Sequence, residues 1–459
     1  MSEIMYYPSR VTRHASRFTK YLFILFFYTF LITSLAAQEI KEPVKIDLKT
    51  CIENSLATDL TLKEAIADVS AAEGQLRQAR AGLFPSLSAT ASYSKRNEVP
   101  EINIPGMFSE GLIDENQHDV TFTMKYLLYD GGGISSLSSQ AEANLEGYKI
   151  NEEKTAEDVI YKSTIAYFNA LRWKHFVQVA DESVELSKEQ LDIARSRFDA
   201  GTAAKADVLK AEAQLSEAEI KLLDANNNFN IALSSLNDTM GVPLTTPLEL
   251  AEDYVYKEWN VTIEECQQEA MNERLEIRII EKTKESFYYA TEFAKSAWYP
   301  SVFLKLDYTP YGNSLLSQNN TLVGLVGAQF NIFDGFKTGG NVEEAEAKYE
   351  KVTIREADVK KKITLDVQKS FLTFQSSSKK VLEVEKNLEA SKESFRVAQI
   401  SYREGISPFI DVNQAQLVLI NAEVSKVQSI FDYYVAKLDL LRATGLLKEN
   451  FDPSSLDGI

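Results

Sequence analysis

Two stretches of the chain carry the same hydrophobic rhythm. In the first, Val159, Ser163, Ala166, Ala170, Trp173, Val177, Ala180, Val184, Ser187, Leu191, Ala194 and Phe198 alternate steps of four and three. In the second, Ile363, Val367, Ser370, Phe374, Ser377, Val381, Val384, Leu388, Ser391, Phe395, Ala398 and Tyr402 do the same. This is a heptad seam, and its many small residues predict helices that approach closely. Past Gly201 the rhythm resumes at Val208, Ala211, Leu215, Ala218, Leu222, Ala225, Phe229, Ala232 and Leu236. Gly201 and Gly405 therefore mark the turns of helical hairpins, where a left-handed residue ends one helix. A helix over 134–199 would run about 100 Å, a return helix over about 203–240 about 57 Å, and the next helix, over about 262–297, about 54 Å. That last helix opens on a capping box, Thr262 to Glu265. Two short helices stacked end to end thus match one long helix.

Between the helices the period changes to two. Val120, Phe122, Met124, Tyr126 and Leu128 alternate with Asp119, Thr121, Thr123, Lys125 and Leu127. Val302, Leu304, Leu306 and Tyr308 alternate with Ser301, Phe303, Lys305 and Asp307. Residues 86–94 and 321–333 alternate less cleanly. Strands of about ten residues with one apolar and one polar face suit an outer-membrane barrel. Two soluble hairpins are the alternative, but no other amphipathic sheet material is present to cover the apolar face. Four strands cannot close a membrane barrel, whose smallest form has about 8, and strand edges must be satisfied within the bilayer. The chain must therefore assemble with copies of itself.

Self-comparison explains why the patterns come in pairs. Tyr129-Asp130-Gly131-Gly132 reappears as Phe333-Asp334-Gly335-Phe336. At the same offset Gly201 matches Gly405, Asp207 matches Asp411 and Gly241 matches Gly445. A slightly larger offset relates Phe84-Pro85-Ser86 to Tyr299-Pro300-Ser301 and Cys51 to Cys266, so the first copy has the longer strand loop. That loop, around 100–115, is expected to be extracellular. The domain reading is a leader at 1–37, a first repeat at 38–241, a joining segment at 242–261 that bulges at mid-height, a second repeat at 262–445 and a tail at 446–459.

Composition narrows the function. The 459 residues carry a net charge of −18, which argues against a nucleic-acid binder. The only cysteines, Cys51 and Cys266, exclude a disulfide framework. Their equivalent but separate positions predict buried free thiols. His14, His118 and His175 are far apart, no HExxH or Walker motif occurs, and no metal site or cofactor is expected. Gly131-Gly132-Gly133 lacks the GxGxxG form and reads as a strand-to-helix bend. With no convergent polar site, an enzyme is not expected. Arg10, Arg13, Arg17 and Lys20 precede an apolar run from Tyr21 to Leu35 and then Ala36-Ala37, the order of a secretory signal. An inner-membrane anchor is the competing reading, but the run is short of the roughly 20 residues a spanning helix needs.

At the two turns the same motif appears: an aromatic, two residues, Gly, five residues, Asp-Val, then Ala and Leu at helical spacing. It reads Phe198-Asp-Ala-Gly201-Thr202-Ala203-Ala-Lys-Ala-Asp207-Val208 with Ala211 and Leu215, and Tyr402-Arg-Glu-Gly405-Ile406-Ser407-Pro-Phe-Ile-Asp411-Val412 with Ala415 and Leu419. On this motif, on the Phe84-Pro85 and Tyr299-Pro300 strand starts, and on the Asp130-Gly131 and Asp334-Gly335 strand exits, the sequence resembles the TolC-like outer membrane efflux proteins over about 45–446. The resemblance implies a mainly α fold with membrane β: long antiparallel coiled-coil hairpins form a periplasmic tunnel. Each chain would add four strands to a trimeric, 12-stranded outer-membrane barrel. It implies a homotrimer seated in outer-membrane lipid. The trimer would act as a passive exit duct for a tripartite efflux pump or a type I secretion system. A periplasmic adaptor and an inner-membrane transporter of RND or ABC type would be its partners. The alternative is a periplasmic or secreted coiled-coil protein with no channel.

The resemblance also assigns residues. Gly201, Thr202, Ala203, Gly405, Ile406 and Ser407 would form adaptor-docking tips. Asp411 would form a constricting carboxylate ring, with Gln414 standing where some members carry a second carboxylate. Tyr402 either hydrogen-bonds Asp207 across the closed entrance or simply packs in the seam. The plain role of Asp207 and Asp411 is to cap the return helices, where the macrodipole favours a carboxylate.

Overall fold

The computed structural model describes residues 44–95, 97, 101–102, 110–111, 116–251, 259–311 and 319–447. The leader at 1–37 lies outside them, as do most of the 100–115 loop, 252–258 of the joining segment and all but 446–447 of the tail. The first half runs β1 (Val44–Ile46), α1 (Leu48–Thr58), α2 (Leu60–Ala81), β2 (Ser86–Lys95), β3 (Glu101–Ile102), β4 (Glu110–Gly111), β5 (Asn116–Tyr129), α3 (Gly133–Asp199), α4 (Lys205–Thr239) and β6 (Leu248–Leu250). The second runs α5 (Ile263–Glu273), α6 (Leu275–Ser296), β7 (Ser301–Tyr311), β8 (Asn319–Gln329), α7 (Lys337–Arg403) and α8 (Phe409–Thr444). In both halves an 11-residue helix precedes one of 22, and both long helices have 67 residues.

The fold class expected from the sequence is present. α3 and α4 form one hairpin, α7 and α8 the other. The heptad alanines of α4, Ala211, Ala218, Ala225 and Ala232, are all buried, so the α3–α4 backbones come close with little side chain between them. Along its upper half α3 packs instead against α2 and α6. The end-to-end stacking read from helix lengths is therefore what α4 and α6 do.

One expectation needs correction. The helix expected over 262–297 is two helices. Arg274 leaves the helical region (φ −63°, ψ 120°) between α5 and α6, and Asp59 (φ −54°, ψ 130°) does so between α1 and α2. Asp59 then caps α2 by accepting the Leu62 N–H at 3.0 Å. Arg274 donates to the Arg442 carbonyl at 3.0 Å and pairs with Glu276 at 2.9 Å. Hydrophobic spacing continues through both breaks, so periodicity alone does not reveal them.

Besides a small cluster of Ala72 and Leu76 of α2 with Leu145 of α3, two cores hold the helices. The larger lies at mid-height, where β1 pairs in parallel with β6 and where α1, α5 and the end of α8 pack on α3 and α7. Trp259 stands edge-on to Phe374 here at 5.2 Å, anchoring the joining segment. Cys51 and Cys266 are both buried in this core as free thiols. The smaller core lies toward the hairpin turns and includes Leu191, Ala194, Ala211, Phe395, Tyr402, Phe409 and Val412. Beyond the far helix ends stands a four-stranded antiparallel sheet of order β2-β5-β7-β8. Its outer strands, β2 and β8, each leave one edge unpaired.

Candidate functional site

Both hairpin turns close in the same way. At the first, the Gly201 N–H donates to the Phe198 carbonyl at 2.8 Å and the Thr202 N–H to the Arg197 carbonyl at 2.8 Å. At the second, the Gly405 N–H donates to the Tyr402 carbonyl at 3.0 Å and the Ile406 N–H to the Ser401 carbonyl at 2.8 Å. This is the Schellman pattern, with the glycine left-handed (φ 72° at Gly201, 76° at Gly405). Thr202 adds its hydroxyl to the Arg197 carbonyl at 3.0 Å. Ile406 projects into solvent at 79% exposure, while Ala203 and Ser407 are half-buried.

A residue not singled out from the sequence joins the two turns. Arg197, at the end of α3, donates to the carbonyl of Tyr402 at the end of α7, and to the Thr202 carbonyl at 3.2 Å. Its guanidinium also lies 4.5 Å from the centre of the Tyr402 ring. Gly405 is required by its backbone angle, and a Cβ there would sit 3.2 Å from Arg197 Nη2, a tight contact that would push on the guanidinium. The sequence signal was available: Arg197 directly precedes the motif aromatic of the first turn. The symmetry-related position is Ser401, so the latch is one-sided.

The predicted gate residues separate into two groups. Tyr402 is buried, packs edge-on against Phe409 at 5.5 Å, and makes no hydrogen bond through its hydroxyl among the described residues. The Tyr402–Asp207 hydrogen bond is thus not formed within the chain, and the ring is part of the seam. Burial, then the nearby Asp207 carboxylate, push the Tyr402 phenol above its usual range. Its counterpart Phe198 is 42% exposed. Asp411 and Gln414 are both exposed, one turn apart on α8, away from the buried Val412 and Gln416. Neither Asp207 nor Asp411 is an N-cap. Those positions are Ala204 and Pro408, with no side-chain cap, and the carboxylates sit in the first turn where only the helix dipole favours them.

At the opposite helix ends the strand junctions are equally specific. Asp130 accepts the Gly132 N–H at 3.1 Å and the Ile134 N–H at 2.5 Å, turning β5 into α3. Asp334 does the same for α7, accepting from the backbone and hydroxyl of Thr338 at 2.9 and 2.5 Å. Those bonds hold its carboxyl below the usual range. Gly131 (φ 70°) lies under Tyr299: an added Cβ would be 2.6 Å from Tyr299 Cβ. Its counterpart Gly335 (φ 68°) has nothing within 4 Å. Phe84, the counterpart of Tyr299, is 68% exposed, and Pro85 and Pro300 are exposed. No metal cluster occurs among the described residues.

A family model described as "Outer membrane efflux protein" matches residues 51–242 and 266–446. Nodulation protein T of Rhizobium leguminosarum bv. trifolii is 21% identical over 399 residues, covering 84% of this chain and 82% of that protein. Outer membrane protein TolC of Escherichia coli strain K12 is 21% identical over 408 residues, covering 84% and 80%. Among solved structures, outer membrane protein VceC of Vibrio cholerae matches with a TM-score of 0.75 at 17% identity, over 87% of this chain and 96% of that one.

Proposed function

The chain belongs to the outer membrane efflux protein family, an outer-membrane channel with its helices in the periplasm, and from that premise we propose how it assembles and gates. Three copies close a 12-stranded barrel. The observation that carries this is a set of contacts made once inside the chain and left open at its symmetry-related positions. Gly131 is covered by Tyr299, while its counterpart Gly335 has nothing within 4 Å. α6 is gripped by α3 and α7, while α2, its counterpart, packs chiefly on α3. β5 pairs with β7, while β8 and β2 each have a free edge. A neighbouring copy supplies every missing half.

Repeat symmetry also gives the register of that joint. Inside the chain Lys125 faces Lys305, Met124 faces Leu306 and Phe122 faces Tyr308. The equivalent positions set Gln329 against Thr90, Ala328 against Ala91, and Val326 against Tyr93 of the next copy. This register keeps Val326 and Tyr93 on the apolar face and Thr90 on the polar one, as closure requires.

The assembled protein is a passive exit duct fed by an inner-membrane transporter through a periplasmic adaptor. The adaptor docks on the tips, Gly201 to Ala203 and Gly405 to Ser407, where Ile406 offers an exposed apolar knob. Asp411, exposed in the first turn of α8, forms the constricting ring with Gln414 beside it. The Arg197 contact to Tyr402 holds the ring narrow. Membrane fractionation and native mass after mild detergent extraction test the assembly. An outer-membrane trimer is expected, and oxidation of a Thr90→Cys, Gln329→Cys pair should link its chains. A soluble monomer would leave a plain coiled-coil protein. Asp411→Ala is expected to raise conductance in lipid bilayers, and an unchanged value would remove the ring assignment.

A further inference from the structure

The polar face of the sheet carries a charge arrangement that the duct reading does not explain. On this face Ser86, Ser88 and Thr90 of β2 stand opposite Lys125, Thr123 and Thr121 of β5, and Lys125 and Thr123 stand opposite Lys305 and Asp307 of β7. The other face carries Leu87, Met124, Tyr126, Leu304 and Leu306 and suits lipid. Two ammonium groups, Lys125 and Lys305, are therefore direct cross-strand neighbours. Such a pair is repulsive unless something neutralises it.

The chain sets one neighbouring carboxylate against these two ammonium groups. Asp307 takes Lys305 at 2.6 Å and also accepts the Thr123 hydroxyl at 2.7 Å. Asp307 feels the Lys125 charge as well, but among the described residues its ion pair is with Lys305, and Lys125 is exposed on the face. The next acidic residue on this face of β5, Asp119, is six residues, about 20 Å, further up the strand. Both lysines line one cleft of about 620 Å3, together with the donor-bearing side chains Ser86, Ser301 and Gln329. The pair lies four residues, about 13 Å, inside the helix-proximal strand ends. In a chain with a net charge of −18, this is a local excess of positive charge lining an open cleft.

We propose that the lower lumen of the barrel is an anion-binding girdle, built from Lys125 and Lys305 of each protomer, that takes oxyanions such as phosphate or the carboxylate and phosphate groups of cargo. It rests on the barrel reading, because only closure puts the lysines of all copies around one lumen. Each copy adds two ammoniums and one carboxylate, so the ring keeps a net positive charge. An anionic solute leaving the helical tunnel meets a favourable step before the exit. The girdle thus sets which charge type passes the barrel easily, as charged rings do in other pores.

The probe is inorganic phosphate, with sodium chloride at matched ionic strength as reference. Detergent-extracted protein is first checked for native mass, and channels are then recorded in planar bilayers under a potassium chloride gradient with phosphate on the extracellular side. Wild-type protein is expected to show phosphate-dependent current reduction and a phosphate-dependent rise in the trimer's Tm. In Lys125→Gln, Lys305→Gln both effects should vanish, and the chloride-to-potassium permeability ratio should fall about twofold or more. Asp307→Asn should move that ratio the opposite way, and Lys125→Arg should retain the wild-type behaviour. Trimeric, conducting double-variant channels with wild-type phosphate sensitivity and permeability ratio would overturn the girdle and leave the duct intact. Wild-type protein that forms neither trimers nor channels would overturn both.

Discussion

Arg197 shows how one side chain can tie the turns of two hairpins that already share a core. Its hydrogen bonds are charge-assisted and aimed at backbone carbonyls, and its guanidinium also lies over the Tyr402 ring. Arg197→Ala should weaken tip closure by about 1–2 kcal/mol, roughly a tenfold change in the open population. Single-channel recording would then show more frequent or larger openings, and wild-type openings would argue against a latch. The two turn glycines separate backbone strain from latch geometry. Gly201→Ala should cost about 1–2 kcal/mol for the left-handed backbone alone, since its surroundings are open. Gly405→Ala carries the same strain and in addition meets Arg197 Nη2, so it alone should raise conductance. Equal conductance from both variants would leave strain as the whole effect.

At the scale of elements, the seam between the two hairpins is incompletely filled. A cleft of about 290 Å3 opens there between α3, α7 and α8, lined by His175, Glu182, Lys392, Glu423, Lys426 and Phe431 among others. The Glu423 side chain is only 14% exposed, with Lys392 4.0 Å away. Burial, then the Glu182 charge, raise the Glu423 carboxyl above its usual range, and Lys392 and Lys426 only partly offset this. A carboxyl raised on folding binds its proton more tightly in the folded state. Its contribution therefore improves as pH falls from neutral through the raised value, and is least favourable above it. Glu423→Gln should raise Tm at pH 7.5 and show a smaller gain on acidification than the wild type. A variant Tm that tracks the wild type across that range would remove Glu423 as the cause.

The same elements show what the sequence could and could not convey. Seam residues such as Ala211, Val367 and Leu388 announce themselves because period and burial coincide over many turns. The breaks at Asp59 and Arg274 do not, because each is one residue's backbone angle set by its local partners, and the apolar spacing runs on across it. Asp411 and Gln414 were found by motif, yet their exposed face in one chain acquires meaning only from neighbours. Arg197 stands next to the motif aromatic, but its target is a carbonyl of the other hairpin, which has no sequence signature of its own.

For the molecule as a whole, asymmetry within the repeat is the main lesson. One copy of the repeat finds its partner inside the chain, and the other must find it outside. The proposed β8–β2 joint makes a specific expectation: Thr90→Cys with Gln329→Cys should give covalently linked trimers on oxidation. Shifting the first cysteine by two residues, to Ser88 or Ser92, should reduce the yield sharply. Equal yields at all three positions would rule out the register.

The unpaired edges of β2 and β8 have a genetic consequence. A chain that brings an unfinished sheet cannot build a channel by itself, and a damaged copy does not merely fail but occupies a place beside intact ones. In a cell making both forms at random, the share of fully intact channels follows the cube of the intact fraction. A lesion confined to one sheet edge that still allows the helices to associate should therefore behave as dominant, whereas loss of the whole chain should be recessive.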